Sequence, residues 1–137
     1  MDDSKPSATA KFVTNGIWWA ANNPRVSVEV PAPMRTYNQQ MVEQINSGWC
    51  SASNTLGRWF LKMKISIMQR ATLPGFYLHF VLRKRCIESC VRSAIQNGAD
   101  QLIIIGAGFD TLGMSIANDF PTVSVLEIDH PATLSCK

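Results

Sequence analysis

At 137 residues, with 46% hydrophobic and 17% charged composition, the chain has room for one ordinary globular domain and is not of the disordered class. Its formal charge of +3 is unevenly placed, because nine Lys or Arg stand against Glu43 and Glu88 alone between Pro31 and Ala99. Cys50, Cys86, Cys90 and Cys136 form no CxxC pair, and neither His79 nor His130 stands at a zinc-ligand spacing from them, so no metal is expected and a reduced, cytoplasmic setting fits best.

Residues 1–10 are polar, with one proline, and read as disordered. The opening Met1-Asp2-Asp3-Ser4-Lys5-Pro6 lacks a basic n-region, and the apolar run Ile17 to Ala21 is too short for a signal or a membrane span. Phe12 to Ala21 predicts a short helix, limited by Gly16 and by Asn22-Asn23-Pro24. Val26, Val28 and Val30 alternate with Ser27 and Glu29 between prolines, as an extended linker or an edge strand would. From Met34 to Asn46 the apolar positions follow helical spacing, with Ser47-Gly48 as a stop.

A stronger helix is predicted from Asn54 to Ala71, capped by Ser53 or Asn54, with Leu56, Trp59, Phe60, Met63 and Ile67 on one stripe. Arg58, Lys62, Lys64 and Arg70 interleave with these residues. Nucleic acid or an anionic membrane could use such a pattern, but an amphipathic helix with a solvated cationic face gives the same one, and that reading is preferred. No membrane partner is therefore expected, and nucleic acid is not favoured.

Leu73-Pro74-Gly75 ends this helix. Phe76 to Leu82 then runs without punctuation into a helical pattern over Arg83 to Asn97, closed by Gly98, which favours one helix, or a loop and a helix. Cys86 and Cys90, one turn apart beside Ile87, Val91 and Ala94, read as buried thiols. If the helix begins at Arg83-Lys84-Arg85, three cations sit at the positive end of its dipole and would favour an anionic ligand there. A solvated basic turn inside a longer helix is the alternative.

The stretch that organises the chain is Leu102 to Asp129. Leu102 to Ile105 reads as a buried parallel strand entering the turn Gly106-Ala107-Gly108. A helix follows, capped by Asp110 or Thr111, with Met114, Ile116 and Ala117 on its buried face, and Asn118-Asp119-Phe120-Pro121 stops it. A second strand covers Val123 to Ile128, with Glu127 and Asp129 at its carboxyl end. This order is the first half of a nucleotide-binding unit, in which outward-facing amides and a helix N-terminus would meet the ligand and an acid would take ribose hydroxyls. The G-x-G-x-x-G fingerprint fails at Thr111, which counts against a dinucleotide and suits a single adenosine-containing cofactor.

Gly106-Ala107-Gly108-Phe109-Asp110-Thr111, then Glu127-Ile128-Asp129-His130-Pro131, with Arg83-Lys84-Arg85 upstream, resemble the leucine carboxyl methyltransferase family. The resemblance spans roughly residues 82–137. It implies an α/β, Rossmann-like class I methyltransferase fold, cut off after the first βαβ unit: a helical N-terminal cap region over 1–80 and the first part of the cofactor domain over 81–137. It also implies S-adenosyl-L-methionine as cofactor and transfer of methyl to a carboxylate or hydroxyl oxygen, on a protein C-terminus or a small molecule. Carried over, Arg85, or else Arg83, holds the methionine carboxylate. Gly106 approaches the cofactor with Ala107 and Gly108, Asp110 orders the loop, and Asp129, with Glu127 beside it, takes the ribose hydroxyls. No catalytic residue can be named. Leu112-Gly113-Met114-Ser115 departs from the Arg-containing stretch of many members. The rival expectation is a non-catalytic fragment that acts as a binding module, with an uncovered sheet face that favours poor solubility or dimerisation.

Overall fold

The computed structural model describes residues 6–46, 55–71 and 73–137. The order is α1 (Ala8–Ala21), a 3-10 turn at Ser27–Glu29, α2 (Ala32–Ile45), α3 (Thr55–Ala71), α4 (Phe76–Gln96), β1 (Gln101–Ile105), α5 (Leu112–Asp119), β2 (Ser124–Ile128) and the short α6 (Pro131–Leu134). Helices precede a two-stranded parallel sheet, so the fold is mixed α/β with a single βαβ unit among the described residues.

The core is built on α1. Small and apolar residues occupy most of its circumference, and a helix of that composition belongs in an interior. Ile17, Ala20 and Ala21 pack with Val30, Met34 and Val81, whereas Trp18 packs with Val42, Leu61, Ile65 and Tyr77. Burying an indole leaves its N–H in need of an acceptor, and Trp18 Nε1 donates to Gln39 Oε1 at 2.6 Å, Trp19 Nε1 to Ser66 Oγ at 2.8 Å. α1 starts earlier than its polarity suggests, because Ser7 Oγ accepts from the Ala10 amide at 3.2 Å and caps it. Residues 8–10 are therefore helical rather than disordered, while residues 1–5 lie outside the described part.

The valine alternation at Val26 to Val30 forms no strand. It coils into the 3-10 turn, which Arg35 Nη2 holds by donating to the Ser27 carbonyl at 2.8 Å. α2 matches its prediction closely, entered through Pro31 and Pro33; the expected stop at Ser47-Gly48, the cap at Ser53 or Asn54, and Cys50 fall outside the described residues.

α3 has the predicted extent and the opposite orientation. The row that packs inward is Gly57, Leu61 and Ile65, while Leu56, Trp59, Phe60, Met63 and Ile67 are exposed. α3 carries apolar residues on two sides, and periodicity cannot say which one meets α1. Arg58 and Lys62 lie over the Trp18 ring, 5.5 and 5.9 Å from its centroid, on the inward flank.

α4 is one helix from Phe76, so Arg83-Lys84-Arg85 sit in its interior and meet no helix N-terminus. The run thus lies inside a longer helix, as the alternative had it, but not all of it is solvated: Lys84 pairs with Asp110 and Arg85 with Glu29. Cys86 and Cys90, expected in the core, are exposed, because they lie on the side of α4 opposite the one that Val81, Lys84, Glu88 and Arg92 turn inward. The strands pair in register from Gln101 with Ser124 to Ile105 with Ile128. Neither is buried on both faces: Ile105 is 82% exposed, and Ile103, Leu126 and Ile128 share its open face. Only the other face is covered, chiefly by α5, whose Ile116 is fully buried, Met114 half-buried and Ala117 exposed.

One polar cluster ties α4 to α5. Arg92 Nη2 donates to Asp119 Oδ2 at 2.6 Å, to Glu88 Oε1 at 2.8 Å and to Ser115 Oγ at 3.1 Å. The Arg92 hydrogen bond holds the Asp119 carboxyl below its ordinary value of 3.8. A carboxyl lowered in the native state adds stability above its unfolded value and loses it as pH falls through the native one. Asp119→Asn should therefore lower the unfolding free energy measured in urea at neutral pH by about half a kcal/mol or less, the pair being partly exposed, and the gap to the parent should close as pH falls below 3.8. A gap independent of pH across that range would show that the pair adds nothing through charge. Among the described residues no helix is long and apolar enough to cross a membrane.

Candidate functional site

The site forms where β1 ends. Gly106 has φ +69° and Gly108 φ +53°, left-handed values that favour glycine, and they fold the chain back beneath the end of β2. The amides of Gly106 and Ala107 donate to the Ile128 carbonyl at 2.7 and 3.3 Å. The Gly108 amide donates to Asp129 Oδ2 at 2.6 Å, while Asp129 Oδ1 accepts from the His130 amide at 2.6 Å. Expected to face outward toward a ligand, the turn's amides instead fasten β1 to β2. Asp110 completes the fastening: its Oδ1 accepts from the Leu112 amide at 3.1 Å at the start of α5, and its Oδ2 pairs with Lys84 Nζ at 2.6 Å. The first amide of α5 is thus served from within the chain.

Above the turn lies a cavity of about 330 Å³. Its floor is Gly106 to Asp110 with Asp129, one wall is Phe80, Arg83, Lys84 and Ile87 of α4, and the other is the start of α1 from Ser7 to Thr14. That volume lies within the range of small-molecule sites. No atom comes within 4 Å of where a Gly106 side chain would begin, whereas at Gly108 a Cβ would stand 3.3 Å from that of Ala10. Gly106 is therefore the open approach to the floor, and Gly108 meets α1.

The charged residues fall into two groups. Arg83 lines the cavity and makes no hydrogen bond or ion pair among the described residues. Asp129 lines it too, with two of a carboxylate's roughly four acceptor positions engaged. Arg85, the first choice for a ligand carboxylate, faces away and pairs with Glu29. The reason is helical geometry, because residues two apart on a helix point to different sides. Glu127 also lies off the cavity: it pairs with Lys137, and a Cβ on Gly113 would stand 2.3 Å from its Oε1, so it is wedged beneath α5. Two residues along a strand should share a face; Asp129 escapes because β2 has ended at Ile128.

Sequence reasoning missed the α1 wall, and it offered Lys84 as one of three cations for an anionic ligand where the structure pairs it with Asp110. The available signal for the wall was Ser7 just before an Ala-rich stretch, the mark of a helix cap. Ser7 is held across the chain, its amide donating to Thr133 Oγ1 of α6 at 3.3 Å, with Thr133 fully buried. Among the described residues no group of three or more His, Cys, Asp or Glu could hold a metal ion.

The family model for leucine carboxyl methyltransferase matches residues 26–137. No curated protein and no solved structure matches the chain.

Proposed function

The chain belongs to the leucine carboxyl methyltransferase family, and on that premise we propose that it binds S-adenosylmethionine over the Gly106 turn for methyl transfer to an oxygen acceptor. The observation that supports this reading is the state of the turn's amides. Those of Gly106, Ala107 and Gly108 are all spent within the chain, which leaves no nest for a pyrophosphate. A cofactor without phosphate needs none. S-adenosylmethionine offers a carboxylate, an ammonium and a ribose diol, and the cavity offers an unpaired guanidinium, Arg83, and a carboxylate with acceptor positions to spare, Asp129. The residues present fit the group.

Within this reading the βαβ unit is the first part of a Rossmann-like cofactor domain and the preceding helices are its cap. Arg83 holds the methionine carboxylate, and Asp129 accepts from the ribose hydroxyls while keeping the turn closed. Gly106 lets the ligand approach the floor, Lys84 and Asp110 brace the loop, and the start of α1 shields the site from water. When bound, the cofactor supplies a methyl group already activated by a sulfonium. What remains for the protein is to orient an acceptor oxygen in line with it, and such positioning can carry most of the rate.

A second reading, a module that binds the cofactor without turnover, draws on the open sheet face at Ile103, Ile105, Leu126 and Ile128, which other protein could cover.

Calorimetric titration with S-adenosylmethionine separates the roles of the arginines. Arg83→Ala should weaken binding by roughly ten- to a hundredfold, the usual loss for a charge-assisted contact, while Arg85→Ala, which breaks only the exposed pair with Glu29, should leave it unchanged. Equal weakening by both variants would reject the placement, and no binding by the parent chain would reject the cofactor.

A further inference from the structure

We infer that α3 is a peripheral docking helix for an anionic bilayer surface. Leu56, Trp59, Phe60, Met63 and Ile67 recur at helical spacing and form one outward stripe, with Leu56 71%, Ile67 60% and Trp59 58% exposed. The Trp59 and Phe60 rings meet edge to face, their centroids 5.0 Å apart, so the stripe is an organised apolar surface. The inward row of Gly57, Leu61 and Ile65 already supplies what the core requires. Among the described residues nothing covers the outer one.

The charge around the stripe selects its occupant. Between Glu43 and Glu88 the chain carries seven Lys or Arg and no acid. Lys64 and Arg70, on the exposed side of α3, make no ion pair among the described residues. Arg70 and the equally unpaired Arg25 line a cavity of about 350 Å³ along the edge of α3, beside Gln69, whose Oε1 is buried without a partner. An apolar stripe with Trp and Phe, rimmed by cations, is the composition of a helix that lies in the lipid headgroup region. The cations would meet anionic headgroups while the stripe enters the acyl boundary.

A second copy fits less well, since two-fold pairing of α3 would oppose cations to cations with no acid between them. Nucleic acid also fits less well. Of the stripe only Trp59 and Phe60 offer planes for stacking a base, and their rings meet each other, while Arg58 and Lys62 are turned inward over Trp18.

Co-sedimentation of the 137-residue chain with vesicles tests the proposal. The chain should bind vesicles of phosphatidylcholine mixed with phosphatidylserine, lose that binding as salt rises, and bind phosphatidylcholine alone far less. The pair Trp59→Ser and Met63→Ser should weaken binding on the order of tenfold or more, and Lys64→Glu with Arg70→Glu should do so for the anionic vesicles. All four side chains are exposed, so the helical circular dichroism should be unchanged; should the serine pair unfold, Ile67→Ser is read in its place. Absence of binding to the mixed vesicles, or equal binding to both compositions, overturns the proposal. A concentration-dependent dimer dissolved by the serine pair, without vesicle binding, assigns the stripe to a second copy and overturns it too, as does retention of an RNA or DNA probe that the pair abolishes when vesicles are not bound.

Discussion

Asp129→Ala is expected to remove S-adenosylmethionine binding and to destabilise the chain at the same time, by roughly 2–3 kcal/mol. Both losses come from one carboxylate. Asp129 accepts from the Gly108 and His130 amides at 2.6 Å, so alanine leaves two donors at the sheet's edge unpaired, and Gly108 sits half-buried against Ala10, where water is a poor substitute. Hydrogen bonds to a charged acceptor are the stronger kind, and losing two of them removes the clasp between the turn and β2. Asp129→Asn should fall between the parent and alanine, because its amide keeps one acceptor oxygen and presents a donor where the other acceptor was. Urea denaturation followed by circular dichroism measures the first loss, and calorimetric titration of whatever remains folded measures the second. An alanine variant as stable as the parent would show that the clasp does not hold; one that is destabilised yet binds the cofactor normally would remove Asp129 from the ribose role.

The βαβ unit was legible because its signals are local. A β-branched run, a glycine turn, a helix stopped before Pro121 and a second run placed both strands and α5 to within a residue or two. Orientation is another matter, since it depends on residues far away in the chain. The stripe of α3 was visible, but its partner was not: Gly57, Leu61 and Ile65 form a competing row whose fit to Trp18 appears only in three dimensions. For the same reason the cysteines of α4 were assigned to a core that the other side of the helix faces. In the candidate site, the residue types were legible and their directions were not. Arg83 and Arg85 are indistinguishable in a run of three cations until the helix is known to begin at Phe76, which turns Arg83 to the cavity and Arg85 to Glu29. The α1 wall was hidden by its polarity, because Ser7 and Thr9 look like a tail when what holds them is a cap and a contact with α6, 126 positions away.

Gly16→Ala is expected to destabilise the chain although it adds one methyl to a helix. In an ordinary helix the change is favourable, by roughly 0.5–1 kcal/mol, since alanine has less backbone entropy to lose. Here an added Cβ would stand 2.1 Å from Tyr77 Cδ1 and 2.4 Å from Cε1, inside any tolerable contact. The ring has little room to yield. Tyr77 is 2% exposed and is hemmed in by Phe12, Trp19 and Phe76, with ring centroids 5.6, 5.9 and 6.0 Å away. Overpacking of this kind costs about 1–3 kcal/mol and sometimes more, so it outweighs the helical gain and the net loss should approach roughly 2 kcal/mol. Tyr77→Ala alone should cost about 3–5 kcal/mol through the cavity it opens. The double variant discriminates the cause. If the clash is real, Gly16→Ala in the Tyr77→Ala background should be neutral or slightly stabilising, because the ring is gone and only the helical preference remains. Additive losses in the double variant, read from chemical denaturation, would place the cost elsewhere than in the contact of Gly16 with the Tyr77 ring.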